Sequence, residues 1–318
     1  VAARLAGQAL LPENEKGRVA IIATELATNL LRHAQLGVLL VRQLDTAEGG
    51  GVELLALDKG PGMADVGKCL EDGYSTGGSS GTGLGAVRRI SSEFDVYSSC
   101  PGGTVMVSRV RRGPPAPGPL AWGVVNVPAP GEQVSGDVYG VVQQSDAAVC
   151  LLADGLGHGQ AAADAGVKAR SVFASRAFDS PRQVLEAAHV EMRGTRGAAI
   201  AIARVDLVRG SLKFAGVGNI SGTLLAAGAS QGLCSHNGTL GVEARKFQEF
   251  DYPWAADTVL VLHSDGLQSR WKLQDYPGLV HRHPAVSAGI LYRDYCRGRD
   301  DATVIVAKLR NGQERKSG

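Results

Sequence analysis

Acidic residues stand at the ends of apolar strands in this chain. LLADGLGHG (151–159) carries Asp154 directly before a glycine, and VLVLHSDGL (259–267) ends the same way at Asp265. Asp300 and Asp301 lead RDDATVIV, and Asp137 lies in VSGDVYG. Carboxylates gathered at such edges repel one another. A hard divalent cation, Mg²⁺ or Mn²⁺, with oxygen ligands and retained waters removes that cost. Two cations that share one carboxylate and one water make that water a nucleophile. A single aspartate before a glycine is ordinarily a strand or turn cap, so the signal is the recurrence of ADG, SDG and DDAT at three strand boundaries. His158, in the adjoining loop, is placed either to approach a substrate phosphate or to hold that loop.

A second set lies near the start of the chain. TELATNLLRHA (24–34) puts Glu25 and Asn29 four residues apart, on one helical face. LALDKGPGM (55–63) ends a strand at Asp58, followed by Gly60 and Gly62. An aspartate there can accept a hydrogen bond from an adenine amino group, and the glycines let the backbone turn closely. DGYSTGGSSGTGLGAVRR (72–89) then supplies Gly77, Gly78, Gly81, Gly83 and Gly85 ahead of a helix. Exposed N–H groups running into a helix N-terminus form a phosphate site. No GKS or GKT follows, so this is not a Walker loop, and no βαβ unit frames a dinucleotide site.

Elements must hold these residues in place. Val19, Ile22, Leu26 and Leu30 form an apolar stripe along a helix in 13–34. Strands are read at GVLLVRQL, GVELLALDKG and GGTVMVSRV, with a short helix at GLGAVRRISSEF. Proline and glycine crowd 111–120, which neither helices nor pairs well and marks a linker. Beyond it, eight strands are read: AWGVVNV, VYGVVQQ, AAVCLLAD, AAIAIARVD, LKFAGVG, ISGTLLA, TVLVLHSD and ATVIVAKL. Helices are read in 159–178, in PRQVLEAAHVEMRG and within HPAVSAGILYRDYC. Such a strand-rich half with few helices suggests two sheets flanked by helices.

Composition bounds the class. The 318 residues are 44% hydrophobic, enough for two packed domains, and the net charge of +2 is not that of a nucleic-acid surface. Five scattered cysteines with no CxxC argue against a zinc cluster and for a reduced, cytoplasmic setting. No apolar run is long enough to span a membrane, and no leader is evident.

ELATNLLRH, DKGPGM, GYSTGGSSGTGLG and GGTVMV, in this order, resemble the GHKL (Bergerat) ATP-binding fold of histidine kinases, gyrase and heat-shock protein 90, most closely its stressosome serine/threonine switch-kinase branch. The resemblance implies an α/β sandwich over 1–110 that binds ATP with Mg²⁺. Asn29 would hold the metal, Glu25 would act as general base, and Asp58 would read adenine with support from Thr104. Gly60 and Gly62 would shape the pocket, and residues 77–85, including Gly77, Gly81, Gly83, Leu84 and Gly85, would form the lid.

GEQVSGDVYG, LLADGLGHGQAA, GTRGAAIAIARVD, FAGVGN, LHSDGL and RDDATVIVAKL resemble the 2C-type metal-dependent protein phosphatases of the sporulation and stress-response branch. This implies a four-layer αββα sandwich over 121–310 with two Mn²⁺ or Mg²⁺ ions, followed by a tail at 311–318. Asp154 would bridge both ions, the Gly155 carbonyl would bind one, Asp265 and Asp300 would complete the other site, and Asp137 would hold a metal directly or through water. Asp301 would make a supporting hydrogen bond, and Asn219 would lie in a turn beside the pocket. The phosphate-gripping arginine of the eukaryotic phosphatases has no clear match.

Together the resemblances imply a bifunctional regulator of a partner-switching cycle. One half would phosphorylate serine or threonine on STAS-type antagonist or other stressosome proteins, and the other would remove the phosphate. Two further readings stay open: an anti-sigma-like binding module fused to a phosphatase that controls sigma-factor release, and a phosphatase with a non-catalytic ATP-sensing scaffold. No nucleic-acid or membrane partner is expected.

Overall fold

GVELLALD is apolar at nearly every position, the pattern of a strand covered on both faces. The computed structural model, which describes residues 1–71 and 83–310, places it at the centre of the first of two units. That unit comprises Val1–Ala116 together with His281–Arg293. It opens with helices α1 (Ala2–Gln8) and α2 (Glu13–His33), then strands β1 (Val38–Leu44) and β2 (Gly51–Asp58). The short helix α3 (Val66–Cys69), helix α4 (Gly83–Ile90) and strands β3 (Glu93–Ser99) and β4 (Gly103–Arg111) follow. The strands form one antiparallel sheet in the order β1-β2-β4-β3.

Strand alternation sorts the two faces of this sheet. Val52, Leu54, Ala56 and Met106 pack with Val19, Ile22 and Leu26 of α2, with Ala6 of α1 and with Val87 of α4. Leu55, Leu57 and Val105 point the other way and meet a helix from far along the chain, Pro284–Tyr295, whose residues to Arg293 belong to this unit. Pro284 to Leu291 are all buried, so the helix is apolar around its circumference. Gly289 allows the close approach: a methyl there would stand 2.8 Å from Val105 and 2.9 Å from Leu57. Val286, Ile290 and Leu291 each contribute about 1.5–3 kcal/mol by burial.

The same face carries an ion network. Glu53 accepts from Arg42 at 2.7 Å and from Arg109 at 2.6 Å, and Glu93 accepts from Arg109 and Arg111. Burial alone would raise the Glu53 and Glu93 carboxyls, but the guanidiniums hold both at about 2.

The second unit runs over Pro117–Val280 and resumes at Asp294. Its elements are β5 (Leu120–Val127), β6 (Asp137–Gln143), β7 (Ala147–Gly155), α5 (Gln160–Arg176), α6 (Pro181–Glu191), β8 (Ala198–Asp206), β9 (Ser211–Val217) and β10 (Ser221–Ala226). They continue with β11 (Ala229–Gly232), β12 (Phe250–Pro253) and β13 (Val259–His263). The shared helix Pro284–Tyr295, now α7, precedes β14 (Ala302–Leu309). Two five-stranded antiparallel sheets result, β12-β9-β8-β7-β6 and β11-β10-β13-β14-β5. Alternate residues of β7 divide between two cores. Ala148, Cys150 and Leu152 pack with Leu260, Leu262 and Ile305 of the other sheet. Val149, Leu151 and Ala153 pack with Phe173 of α5 and Leu185 of α6.

All eight strands read after residue 120 are present, as are the three helices read there. The structure adds α1, α3, β3, β11 and β12. Residues 91–94, read as the end of a helix, lie past the end of α4, and EFDVYSS forms β3. Its β-branched and aromatic residues pair with β4, and tertiary pairing outweighs the short helical pattern.

Candidate functional site

Pairing register brings the first two acids together. Asp137 is the first residue of β6 and stands directly opposite Asp154, near the end of β7. The other sheet supplies the rest: Asp265 follows β13, and Asp300 and Asp301 precede β14. Ser264 joins the two sets, since its Oγ donates to Asp137 Oδ2 at 2.6 Å and accepts from the Thr303 amide at 3.0 Å. Asn126 donates to the Asp137 carbonyl and to Thr303 Oγ1, fixing the same strand ends.

Electrostatics shows what this arrangement lacks. Burial, followed by the charges of Asp137, Asp265, Asp300 and Asp301, pushes the Asp154 carboxyl far above the usual carboxylate range. Asp137 is raised as well, chiefly by burial, and its Oδ1 is buried with no hydrogen-bond partner among the described residues. Such an orphaned acceptor amid like charges fits a cation. Among the described residues, no three His, Cys, Asp or Glu side chains already close into a metal cage. A cation that retains water does not need three direct carboxylates. The cleft, about 410 Å³, is lined by Asp154, Gly157, Asn219, Asp265 and Asp300 among others.

The remaining residues have distinct positions. Asp301 accepts from the Ala129 and Gly136 amides at 2.7 and 2.8 Å and is 3% exposed, a structural tie between loops. Asn219 donates to Asp265 Oδ2 at 2.7 Å. His158 pairs with Glu132 at 2.6 Å on the surface, and this partner raises its pKa. Gly155 ends β7 packed against the Ala162 backbone, which leaves no room for a side chain. A larger groove of about 630 Å³ along α5 and α6 is lined by Arg176, Asp179, Glu186 and Glu191 among others, and there Asp179 and Glu186 are paired with Arg176 and Arg182.

In the first unit, α2 carries Glu25 and Asn29, as its spacing requires. Glu25 lies against Gly83 at the start of α4, where a Cβ would stand 2.6 Å from its Oε2. Asn29 Nδ2 is buried and has no partner among the described residues, an amide available to a ligand. Asp58 ends β2 opposite Thr104, and its Oδ1 accepts from the Gly60 amide at 2.7 Å. Burial raises its carboxyl above the usual value, while hydrogen bonds from Gly60 and Thr104 oppose the shift. Thr104 Oγ1 meets Ser98 Oγ at 2.8 Å, and Ser98 Oγ also accepts from the Met63 amide. A side chain at Gly60 would meet the His33 carbonyl, and Gly62, at φ +76, would meet Ser99. Leu84 and Gly85 lie in α4, while Gly77 and Gly81 lie outside the described residues.

The motifs did not reveal several supports. Ser264 immediately precedes Asp265 and was within reach of the sequence reading. Asn126, Ser98 and Arg293, which donates to the Asp58 carbonyl at 2.8 Å, carry no local signal.

Both halves of the chain have known relatives. Residues 144–310 match the model of stage II sporulation protein E (SpoIIE), and residues 1–109 match the histidine kinase-like ATPase domain. Serine/threonine-protein kinase RsbT of Bacillus subtilis is 36% identical over 90 residues, 28% of this chain and 68% of that protein. Phosphoserine phosphatase RsbX of the same organism is 22% identical over 138 residues, 43% of this chain and 69% of that protein. Among solved structures, a chain from work on the bacterial stressosome as a modular system superposes with a TM-score of 0.57 at 28% identity, covering 59% of this chain and 99% of that one. RsbX in complex with magnesium superposes at 0.54 and 20% identity, covering 60% of this chain and 96% of that one, a likeness of fold.

Proposed function

Because this chain belongs to the stage II sporulation protein E family through residues 144–310, and to the family of the kinase RsbT through its N-terminal unit, we propose that it runs both directions of a protein phosphorylation cycle. The first unit would transfer phosphate from ATP to serine or threonine of a STAS-type antagonist or other stressosome partner. The second would hydrolyse that phosphoester. The observation carrying this reading is the meeting of Asp137 and Asp154 from one sheet with Asp265 and Asp300 from the other, around an unpartnered Asp137 oxygen.

Asp154, Asp137, Asp265 and Asp300, with the Gly155 carbonyl, would hold two Mg²⁺ or Mn²⁺ ions. The ions, when bound, supply a water activated for attack on phosphorus. Ser264 fixes one oxygen of Asp137, and the other is buried with no partner among the described residues. Asn219 orients Asp265. In the first unit Asn29 would hold the Mg²⁺ of ATP and Asp58 would accept from the adenine amino group. Glu25 would take the proton of the attacking hydroxyl.

The test uses the full chain. With Mn²⁺ it should hydrolyse an aryl phosphate and a phosphoserine peptide, and chelator should stop both reactions. Asp154→Asn should remove most of the activity while Mg-ATP binding persists. Undiminished hydrolysis in chelator by demonstrably metal-free protein would defeat the assignment.

A further inference from the structure

The cleft holding the acids has no basic residue among its described lining, yet a phosphoserine substrate brings a charge of about −1.5 to −2. A cation that receives it has to come from the rim. Arg196 stands there. Its backbone is fixed by a tight turn: Thr195 Oγ1 donates to the Met192 carbonyl at 2.7 Å and accepts from the Gly197 amide at 3.1 Å. The Gly197 carbonyl accepts from the Leu156 amide at 3.0 Å, and the next residue, Ala198, pairs with Gly155. The turn is therefore tied to the end of β7 that carries Asp154.

The side chain reaches the cleft at Gly157. Arg196 Nη1 lies 3.3 Å from where a Cβ of residue 157 would stand, and Gly157, at φ +83, lines the cleft and has no side chain in the way. The guanidinium is exposed and makes no hydrogen bond or ion pair with any described residue. The arginines of the first unit behave differently: Arg42, Arg109 and Arg111 are each committed to a carboxylate. A planar guanidinium held beside an acidic cleft without a partner matches two oxygens of a phosphate monoester.

We infer that Arg196 grips the phosphate of the substrate from the rim of the cleft beside Gly157. This rests on the phosphatase reading and supplies the anion contact which that reading otherwise lacks. It makes Arg196 a substrate-binding residue with no part in holding metal.

The experiment compares full-length wild type with Arg196→Ala and Arg196→Lys in Mn²⁺. It measures aryl phosphate kinetics, competitive inhibition by orthophosphate, direct orthophosphate binding by calorimetry, and Mn²⁺ binding. Arg196→Ala should raise KM and weaken orthophosphate about tenfold or more. Mn²⁺ affinity and the melting temperature should be unchanged, and Arg196→Lys should recover part of the loss. A KM and an orthophosphate affinity within about twofold of wild type in Arg196→Ala would overturn the inference. So would a Mn²⁺-loaded wild type that binds no orthophosphate. If wild type shows no Mn²⁺-dependent hydrolysis but loses orthophosphate binding in Arg196→Ala, the phosphatase reading falls and the anion site stands.

Discussion

Asp137 has one carboxylate oxygen tied to Ser264 and the other buried without a partner among the described residues. Removing the Ser264 hydroxyl takes a donor from Asp137 and an acceptor from the Thr303 amide at once. Ser264→Ala should cost about 1–3 kcal/mol of stability, because two buried polar groups lose a partner. It should also weaken Mn²⁺ binding in a calorimetric titration, since Asp137 is freed to rotate. Unchanged metal affinity would show that Ser264 is structural alone. Asn29 gives a second prediction at this scale. Asn29→Ala should weaken Mg-ATP well beyond its effect on metal-free nucleotide. Equal loss in both conditions would take the metal role from Asn29. Asp137 and Asn29 were readable because the motif itself is a spacing: four positions on a helix, or an acid where a strand ends. Ser98, Asn126 and Arg293 were not, because each meets its partner through the fold and sits in no pattern of its own.

At the scale of elements, α7 depends on its first residues. Asp95 accepts from the His283 amide at 2.5 Å and also meets Arg282. His283 Nδ1 accepts from the Ala285 amide, so the neutral imidazole caps the helix. Burial, followed by Arg109, pushes the imidazole down to about 3, although Glu93 and Glu53 oppose the shift and Arg111 adds to it. The unfolded chain therefore binds a proton that the folded unit refuses. Stability should fall as pH drops below about 6.5, and the loss is complete near pH 3. Glu53 and Glu93 add a separate acid limb. Their low folded values give stability that is present above about pH 4.5 and lost as pH falls toward 2. His283→Gln should flatten the decline in melting temperature between pH 7 and pH 5 and leave the lower limb in place. A mutant melting curve with the same slope as wild type across that window would remove His283 from this role. The helix also has no spare room. Gly289→Val should cost about 1–3 kcal/mol, because its first carbon already crowds Val105 and Leu57. Thermal or urea unfolding of the full chain measures it, and a neutral result would mean that the sheet and helix separate readily. The helix itself was visible in HPAVSAGILYRDYC. Its burial on all sides was written in the same apolar residues, but not which sheet it would cover.

At the scale of the molecule, the chain leaves the first unit at Ala116 and returns to it for His281–Arg293. The Pro/Gly-rich stretch is a visible break in the sequence, whereas the return has no compositional mark. A fragment of residues 1–116 would leave Leu55, Leu57 and Val105 without the helix that covers them. It should be poorly soluble or bind a hydrophobic dye, and a peptide spanning 281–295 added in trans should reduce the dye signal. A monomeric fragment that melts like the unit in the full chain would show that α7 is dispensable.

That returning helix also sets an order of events on the ribosome. Residues 1–116 emerge first, but the helix that covers the second face of their sheet cannot dock until residue 293 has been made. At usual elongation rates the 177 residues between 116 and 293 take roughly 10–35 seconds. For that interval the nascent chain carries an uncovered apolar sheet face at Leu55, Leu57 and Val105. Chaperone demand during synthesis should thus peak in the middle of the message, and codon changes that slow translation across residues 117–280 should lower the yield of active protein more than the same changes after residue 293.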